Sequence, residues 1–208
     1  VTDANGCTAQ SSVTITQPGQ LVATSTQVNV ACFGQSTGSI DATIAGGTAP
    51  FGYSWTSGQL TQDISGLPQG NYTLSVTDAN GCATSITRTI TQNAQIMVGQ
   101  TITNVLCNGQ SNGAINITAS GGITPYAFAW SGPNGFTSLQ EDLAGLSAGL
   151  YSLTLTDNLG CNSTNSYSYN VTQPLTLTAS QTNLDILCFG GTGSIDLTVS
   201  GGTTPYTY

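Results

Sequence analysis

One short phrase occurs three times in this chain and sets a period for the whole sequence. Gly46 to Trp55 reads GGTAPFGYSW, Gly121 to Trp130 reads GGITPYAFAW, and the last eight residues, from Gly201, read GGTTPYTY. The glycine pairs that open these phrases are therefore 75 and 80 residues apart. An internal repeat of nearly fixed length indicates an array of similar domains, which act through their number and their surface.

The six cysteines follow the same period. One set precedes the glycine pairs (Cys32, Cys107, Cys188), and the other ends the phrases TDANGC, TDANGC and TDNLGC (Cys7, Cys82, Cys161). A unit of about 75 to 80 residues has the size of a small all-β domain. Breaks at the Gln-rich joints predict the C-terminal end of one repeat (1–20), two complete repeats (21–95 and 96–175) and the N-terminal part of a further repeat (176–208). We expect such a chain to be a segment of a longer protein.

Composition excludes several classes of protein. The 208 residues include one basic side chain, Arg88, and nine acidic ones, with no Lys or His, which gives a formal net charge of −8. Nucleic acid is not expected as a partner, because the Lys and Arg side chains that neutralise phosphates are missing. No apolar run approaches the roughly 20 residues needed to cross a bilayer, so no membrane-spanning segment is predicted. Two regularly placed cysteines per repeat favour an oxidising, extracellular compartment.

Alternating apolar residues predict β-strands in every copy. One strand of each repeat places three apolar side chains on one face (Ile40, Ala42, Ile44; Ile115, Ile117, Ala119; Ile195, Leu197, Val199). The strand after each Gly-Gly-x-x-Pro turn is aromatic and ends at Trp55 or Trp130. A sandwich domain has its central aromatic residue at this position, so core packing is preferred over a role as a sugar-stacking platform.

The second half of each repeat carries the pattern of a tyrosine corner. Tyr72 and Tyr151 begin alternating strands after Leu and Gly, and in such a corner the tyrosine hydroxyl fastens the preceding loop. Asp78 to Gly81 predicts a tight hairpin, because Asn-Gly accepts positive φ angles. The following strand is expected at Arg88 and Ile90, with Val13 and Ile15 as its equivalents in the first partial copy. About seven short strands in this order predict an all-β fold of tandem immunoglobulin-like sandwiches joined end to end.

The motifs as a set resemble the SprB-type repeat of the gliding-motility adhesins, and of related cell-surface proteins, of Bacteroidetes. They are N-V-x-C-x-G, G-S-I-D, G-G-x-x-P with a following Trp, L-x-x-G-x-Y-x-L and T-D-A-N-G-C, carried here by Asn29–Gly34, Gly38–Asp41, Ala45–Trp55, Leu67–Leu74 and Thr77–Cys82. The third hairpin departs from the pattern, because Asn158-Leu159-Gly160 replaces Ala-Asn-Gly. The resemblance implies a secreted, extracellular filament at the cell surface, with many tandem domains. It does not imply any catalytic residue.

The side chains needed for enzymatic chemistry are largely missing. A Ser or Cys nucleophile needs a base, and the chain has neither His nor Lys. Glu141 and Asp142 are neighbours on an expected strand and would point to opposite faces, unlike the paired carboxylates of a glycosidase. The D-x-N-G phrases at Asp3 and Asp78 are preferred as hairpin turns, with a single calcium site as the alternative. We therefore expect no catalytic site, metal site or cofactor.

Two functional classes remain. The preferred one is the structural stalk or fibre region of a cell-surface adhesin, and the alternative is a set of carbohydrate-binding modules attached to a secreted polysaccharide-degrading enzyme. Short joints and sheet edges with almost no charge predict contacts with neighbouring repeats and self-association into a fibre. Surface glycans are the other class of partner considered. Arg88 is expected to reach the rim of the sandwich and to meet a carboxylate or a ring face.

The strand order predicts how the cysteines pair. The strand before Cys32 runs toward the end of the repeat that faces the next repeat, whereas Cys82 follows a hairpin at the opposite end. A separation of roughly 20 Å exceeds the limit of about 7 Å between the Cα atoms of a disulfide. The favoured pair is therefore Cys32 with Cys161, across a joint, and the other four cysteines would pair with repeats outside these residues or with another chain. The alternatives are closure within a repeat, Cys32 with Cys82 and Cys107 with Cys161, or free thiols.

Overall fold

The computed structural model describes all 208 residues, and its regular secondary structure consists of β-strands and one short 3₁₀ turn. The chain divides into two compact units, residues 1–92 and residues 93–208. No helix is long and apolar enough to span a bilayer. The predicted all-β fold class is confirmed.

The first unit contains six strands arranged in two sheets. They are β1 (Val22–Val28), β2 (Gly38–Ala45), β3 (Gly52–Trp55), β4 (Ile64–Leu67), β5 (Gly70–Thr77) and β6 (Ala83–Ile90). One sheet has the order β1-β2-β4 and the other β3-β5-β6, with every neighbouring pair antiparallel. The chain changes sheet after β2, after β3 and after β4. This arrangement is an immunoglobulin-like sandwich, with the Trp on the third strand and the tyrosine corner on the fifth.

The core of the first unit comes from alternating positions on both sheets. Its buried residues are Val30, Ile40, Ala42, Trp55, Ile64, Leu67, Tyr72, Leu74, Val76 and Ile90. The polar residues between them on β2 and β5 face outward, so the predicted alternation is confirmed for both strands. Burial of these apolar side chains between the sheets is the main source of stability for a domain of this size.

The second unit repeats this sandwich in the first seven of its nine strands. They are β7 (Met97–Thr103), β8 (Gly113–Ser120), β9 (Ala127–Ser131), β10 (Thr137–Ser138), β11 (Leu143–Leu146), β12 (Gly149–Thr156) and β13 (Tyr167–Val171). Their sheets have the orders β11-β8-β7 and β10-β9-β12-β13. The extra strand β10 lies in a longer connection that also contains a 3₁₀ turn, Pro133–Gly135. Phe136 from this connection packs edge-on against Tyr151, with ring centroids 5.3 Å apart.

The two partial repeats are incomplete as sandwiches. β14 (Thr178–Leu184) and β15 (Ser194–Ser200) pair only with each other. Ile195 and Leu197, predicted to face inward, are 75% and 48% exposed, because no second sheet covers them. The strand expected at Val13 and Ile15 does not form, and both side chains are more than four-fifths exposed. In the first complete repeat the equivalent strand, β6, forms by pairing with β5, and no strand lies beside Val13 and Ile15 in any sheet.

The tyrosine corners and hairpins form as local devices in both complete repeats. The Tyr72 hydroxyl donates to the carbonyl of Pro68, and the Tyr151 hydroxyl donates to the carbonyl of Ser147, both at 3.0 Å. The β5–β6 hairpin differs in one detail from the prediction. Only Gly81, and not Asn80, has a positive φ, because the Asp78 side chain caps the turn and holds Asn80 in an ordinary conformation.

Candidate functional site at the two ends of each repeat

At the N-terminal end of each repeat, the glycine pair packs against the incoming joint. The Gly47 N–H donates to the Gly19 carbonyl at 2.8 Å, and Gly122 and Gly202 make the same bond to Ala94 and Leu175. A Cβ atom on Gly46 would lie 1.9 Å from the carbonyl oxygen of Gln20. Gly121 and Gly201 approach their joints equally closely. The pair is therefore required because the joint passes directly over the first glycine, and because both residues have positive φ.

A buried aspartate holds the hairpin at this same end. One carboxylate oxygen of Asp78 accepts the N–H groups of Asn80 and Cys82, and the other accepts the N–H of Thr48, beside the glycine pair. Asp157 does the same for Leu159, Cys161 and Ile123. Each carboxylate therefore ties the cysteine-bearing hairpin to the glycine turn, and its oxygens are engaged by donors rather than left open to a cation.

The environment of these two carboxyl groups favours the charged form. Burial alone would raise the pKa of Asp78, but the backbone N–H groups of Cys82, Thr48 and Asn80 outweigh it, and the net pKa lies below the ordinary value of 3.8. Burial would also raise the pKa of Asp157. The backbone N–H groups of Cys161, Ile123 and Leu159 outweigh this effect, so the pKa of Asp157 is lowered as well. Both hairpins are therefore held by ionised carboxylates at neutral pH.

At the C-terminal end, the N-V-x-C-x-G motif grips the outgoing joint. In the first unit, the Val30 N–H donates to the Thr91 carbonyl, and the Thr91 N–H donates to Oδ1 of Asn29. The side-chain carbonyl of Gln92 accepts the N–H of Gly34 at 3.0 Å, which fixes the turn that carries Cys32. Three hydrogen bonds thus connect this motif to a Thr-Gln dipeptide about 60 residues away in sequence.

The second unit repeats the same grip. Val105 donates to the Thr172 carbonyl, Thr172 donates to Asn104, and Gly109 donates to the Gln173 side chain, all at 2.9 Å. Here Asn108 adds two bonds, donating to the Pro174 carbonyl and accepting from the Thr176 hydroxyl. The equivalent of Asn108 in the first unit is Phe33, which cannot make these bonds. We use the term joint clamp for the Asn-Val-x-Cys-x-Gly motif together with the Thr-Gln dipeptide that it holds.

Comparison with known families decides the identity of these repeats. The family model described as SprB repeat matches residues 24–60, 99–135 and 178–208, which together make up half of the chain. The chain belongs to the SprB repeat family. The predicted resemblance is confirmed, and each matched segment contains one cysteine of the first set (Cys32, Cys107, Cys188) and the glycine pair of one SprB repeat.

Among curated proteins no match was found. One solved structure similar to the chain is described as the crystal structure of Dpr2 Ig1–Ig2 in complex with DIP-Theta Ig1–Ig3. It is 12% identical, the match covers 75% of this chain and 70% of that chain, and the TM-score is 0.28.

The two cysteines of a SprB repeat lie at opposite ends of the sandwich. Cys32 belongs to the joint clamp between β1 and β2, and Cys82 belongs to the hairpin that Asp78 ties to the far end of β2. Since β2 has eight residues, these ends are about 25 Å apart. Cys32 and Cys161 are disulfide-bonded, whereas Cys7, Cys82, Cys107 and Cys188 are free thiols. Cys82 and Cys107, one member of each within-repeat pair that the sequence leaves open, are both free.

The predicted core aromatics lie inside the SprB sandwiches. Trp55 and Trp130 are each 3% exposed, and their indole N–H groups donate to the carbonyls of Thr61 and Gln140. Tyr72 and Tyr151 are also buried. Trp130 packs against Tyr169, whose hydroxyl is buried without a hydrogen-bond partner. Burial, together with the nearby Tyr167, raises the pKa of Tyr169. These rings are therefore packing residues rather than an exposed platform.

The partners or the secondary structure of three charged residues differ from those that the sequence predicts. Arg88 meets neither a carboxylate nor a ring, since its guanidinium donates to the hydroxyl and the carbonyl of Ser25 and so connects β6 to β1. Glu141 and Asp142 lie in a bend, not in a strand. Asp142 accepts the N–H of Ile117 on β8, so this carboxylate completes the edge of a sheet.

Sequence reasoning missed the residues that hold the two ends together. Asp78, Asp157, Gln92 and Gln173 act through bonds to backbone N–H groups, and such bonds produce no apolar alternation in the sequence. The available signal was their recurrence at the repeat period, as in the Thr-Gln dipeptides at Thr16, Thr91 and Thr172. No group of three or more His, Cys, Asp or Glu side chains in the structure could hold a metal ion.

Proposed function

We propose that this chain is a structural repeat region of a secreted cell-surface filament or adhesin, and that it is not catalytic. Membership of the SprB repeat family supports an adhesin-type role at the cell surface. The observation that carries the proposal is that the two ends of each sandwich hold different segments of the chain. One end grips the incoming joint, the other grips the outgoing joint, and each end carries a cysteine. Adhesion, and gliding motility in bacteria that move over surfaces, are the processes that such a filament would serve.

We further propose that Cys32 pairs with Cys161 and that the bridge staples successive repeats. Cys32 belongs to the clamp that holds Thr91 and Gln92, and Cys161 belongs to the hairpin tied to the glycine turn that contacts Ala94. Each cysteine therefore lies at the sandwich end that holds the joint around residues 92–95. Both are oxidised while the other four are free, which supports this pairing. In an array of further repeats, the remaining cysteines would pair in the same way.

Peptide mapping without reduction tests this proposal. We expect one linked species that joins the Cys32 peptide to the Cys161 peptide, with all four other cysteines open to alkylation before reduction. A Cys32 peptide linked to the Cys82 peptide would overturn the staple. The matched controls are Cys32→Ser, which should free Cys161, and Cys188→Ser, which should leave the linked species unchanged.

A glycan array tests the alternative function. A carbohydrate-binding module presents exposed aromatic rings to sugar faces, whereas Trp55 and Trp130 are buried in the cores. We therefore expect no saturable binding by the purified chain. Saturable binding that is lost on heating the protein would instead support the carbohydrate-binding alternative.

A further inference from the structure

A groove opens beside the free thiol of Cys82 at the N-terminal end of the first complete repeat. It has a volume of about 500 Å³ and lies between the incoming joint, residues 17–21, and the hairpin that carries Cys82. Asp78 and Gly47 form part of its wall, and Asp78 also holds the hairpin against the glycine turn. The groove therefore has a fixed position relative to Cys82, which also lines it.

The equivalent hairpin of the second unit carries a buried cysteine. Cys161 follows the same Asp-capped turn as Cys82, yet it is 7% exposed and disulfide-bonded, whereas Cys82 is exposed and free. The same Asp-capped turn therefore carries a buried, oxidised cysteine in the second unit and an exposed thiol in the first.

The joint beside the groove contains the same Thr-Gln dipeptide that the joint clamps of the two complete repeats hold. Thr16-Gln17 repeats the dipeptides Thr91-Gln92 and Thr172-Gln173. In those two copies the Thr carbonyl accepts a Val N–H, and the Gln side chain accepts the N–H of the glycine two residues after a cysteine. Thr16 and Gln17 are exposed, and neither makes such a bond in the structure. Their backbone and amide groups form an unused template for a third clamp.

We propose that the groove and the Thr16-Gln17 template form a docking site for an Asn-Val-x-Cys-x-Gly segment from a further repeat, which then forms a disulfide with Cys82. The segment pairs with Thr16 through its Val N–H and directs its glycine N–H to the Gln17 amide. Its cysteine then reaches Cys82 over the groove. This inference rests on the proposed function. It assigns a partner to Cys82, which takes no part in the proposed bridge between Cys32 and Cys161.

The bond forms by thiol–disulfide exchange. The Cys82 thiolate attacks the segment's cysteine, which must already be in a disulfide, and that cysteine's former partner leaves as a thiol. One disulfide is consumed and one is formed, so no further oxidant is needed. Docking accelerates this exchange by holding the two sulfurs close together.

The test uses the whole chain with its four thiols reduced and a synthetic peptide of the sequence Gln27–Ser36, QVNVACFGQS. The peptide cysteine carries a thionitrobenzoate group, whose release is coloured. Mass spectrometry gives the rate at each cysteine, and reaction with the small reagent dithiobis-nitrobenzoate normalises each rate for simple accessibility. Cys7 is a matched internal control, because it ends the same TDANGC phrase and is exposed and free, but it does not line the groove.

We expect the normalised peptide rate at Cys82 to exceed that at Cys7, Cys107 and Cys188 by about tenfold or more. A scrambled peptide should remove this preference. Gln17→Ala should lower the Cys82 rate about fivefold, as expected for the loss of one hydrogen bond, whereas the control Gln10→Ala should not change it. Equal normalised rates at Cys82 and Cys7, or a preference for Cys107, would overturn the docking site. Neither result would alter the Cys32 to Cys161 linkage, which peptide mapping tests separately.

Discussion

At the residue scale, the repeated phrases of this sequence are explained by single side chains that bind distant backbone groups. The Asp of T-D-A-N-G-C fixes a hairpin, the Asn and Gly of N-V-x-C-x-G receive a joint, and the first glycine of the Gly-Gly pair makes room for another joint. These residues act at the ends of the sandwich and not in its core. The recurring motifs therefore specify how the chain enters and leaves each domain.

Replacing Asp78 with Asn should destabilise the first unit at neutral pH. An Asn side chain offers one acceptor oxygen, so the N–H groups now bound by two carboxylate oxygens cannot all be satisfied. Because the folded pKa of Asp78 is lowered, its stabilisation is complete above 3.8 and is lost as the pH falls through the lowered pKa. The difference in midpoint of urea unfolding between wild type and variant should thus be large at pH 7 and shrink below pH 3.8. Asp41→Asn, which makes the same charge change at an exposed position on β2, is the control.

The Gly46→Ala substitution should be far more damaging than Gly58→Ala. Both glycines have positive φ, which costs an alanine about 1–2 kcal/mol. At Gly58 nothing lies within 4 Å of the new methyl group, whereas at Gly46 the methyl group would lie 1.9 Å from a backbone oxygen. We expect a loss of more than about 3 kcal/mol for Gly46→Ala, measured by hydrogen exchange of the β1 and β2 peptides. Similar losses for the two variants would show that the joint can move away at little cost.

At the element scale, the tyrosine corner predicts a defined loss of stability. Tyr72→Phe removes a buried hydroxyl that donates to the Pro68 carbonyl while keeping the ring in the core. The expected loss in free energy of unfolding is about 1 kcal/mol, read from the fluorescence of Trp55 in a Trp130→Phe background. Tyr53→Phe removes an exposed bond to Gln62 and should have a smaller effect. Equal effects would mean that the corner adds nothing beyond a surface hydrogen bond.

The strands were predictable from the sequence wherever one face is buried by a complete sandwich. Alternation located β2, β5, β8 and β12, and the Trp and Tyr positions located the core, because these signals depend on burial alone. The same alternation failed at Val13 and Ile15, where no partner strand is available. Contacts such as Gln92 with Gly34 were not predictable, because an exposed Gln has no preferred partner until the fold brings one near.

The surroundings of Arg88 illustrate the same limit for an edge strand. A single Arg in a chain with nine acidic side chains suggested a partner with the opposite charge or a π face. In the structure it donates to Ser25, and Gln27 of the same strand donates to the Thr89 carbonyl. Together these bonds close one side of the sandwich between β1 and β6. The choice of partner depends on which edges the two sheets place side by side, and no local pattern in the sequence specifies this.

At the scale of the whole molecule, the proposed staple predicts how far the chain can be extended. A bridge between Cys32 and Cys161 encloses a loop that would add about 450 Å to the length of the fully extended chain, at about 3.5 Å per residue. In single-molecule pulling from the two termini, we expect the reduced chain to extend further than the oxidised chain by about this length. The within-repeat pairs would instead withhold about 175 Å and 190 Å. The Cys32→Ser variant should extend fully without reduction.

The location of one cysteine at each end of a sandwich determines the load path of such a filament. With Cys32 joined to Cys161, tension that enters through β1 leaves it at Cys32, crosses the sulfur bridge and continues through β13 toward the next joint. Strands β2 to β12, with both Trp-centred cores, lie between the two cysteines, so the covalent path for tension bypasses them. Sustained pulling would therefore be borne by covalent bonds, while the domains that present the surface of the filament remain folded.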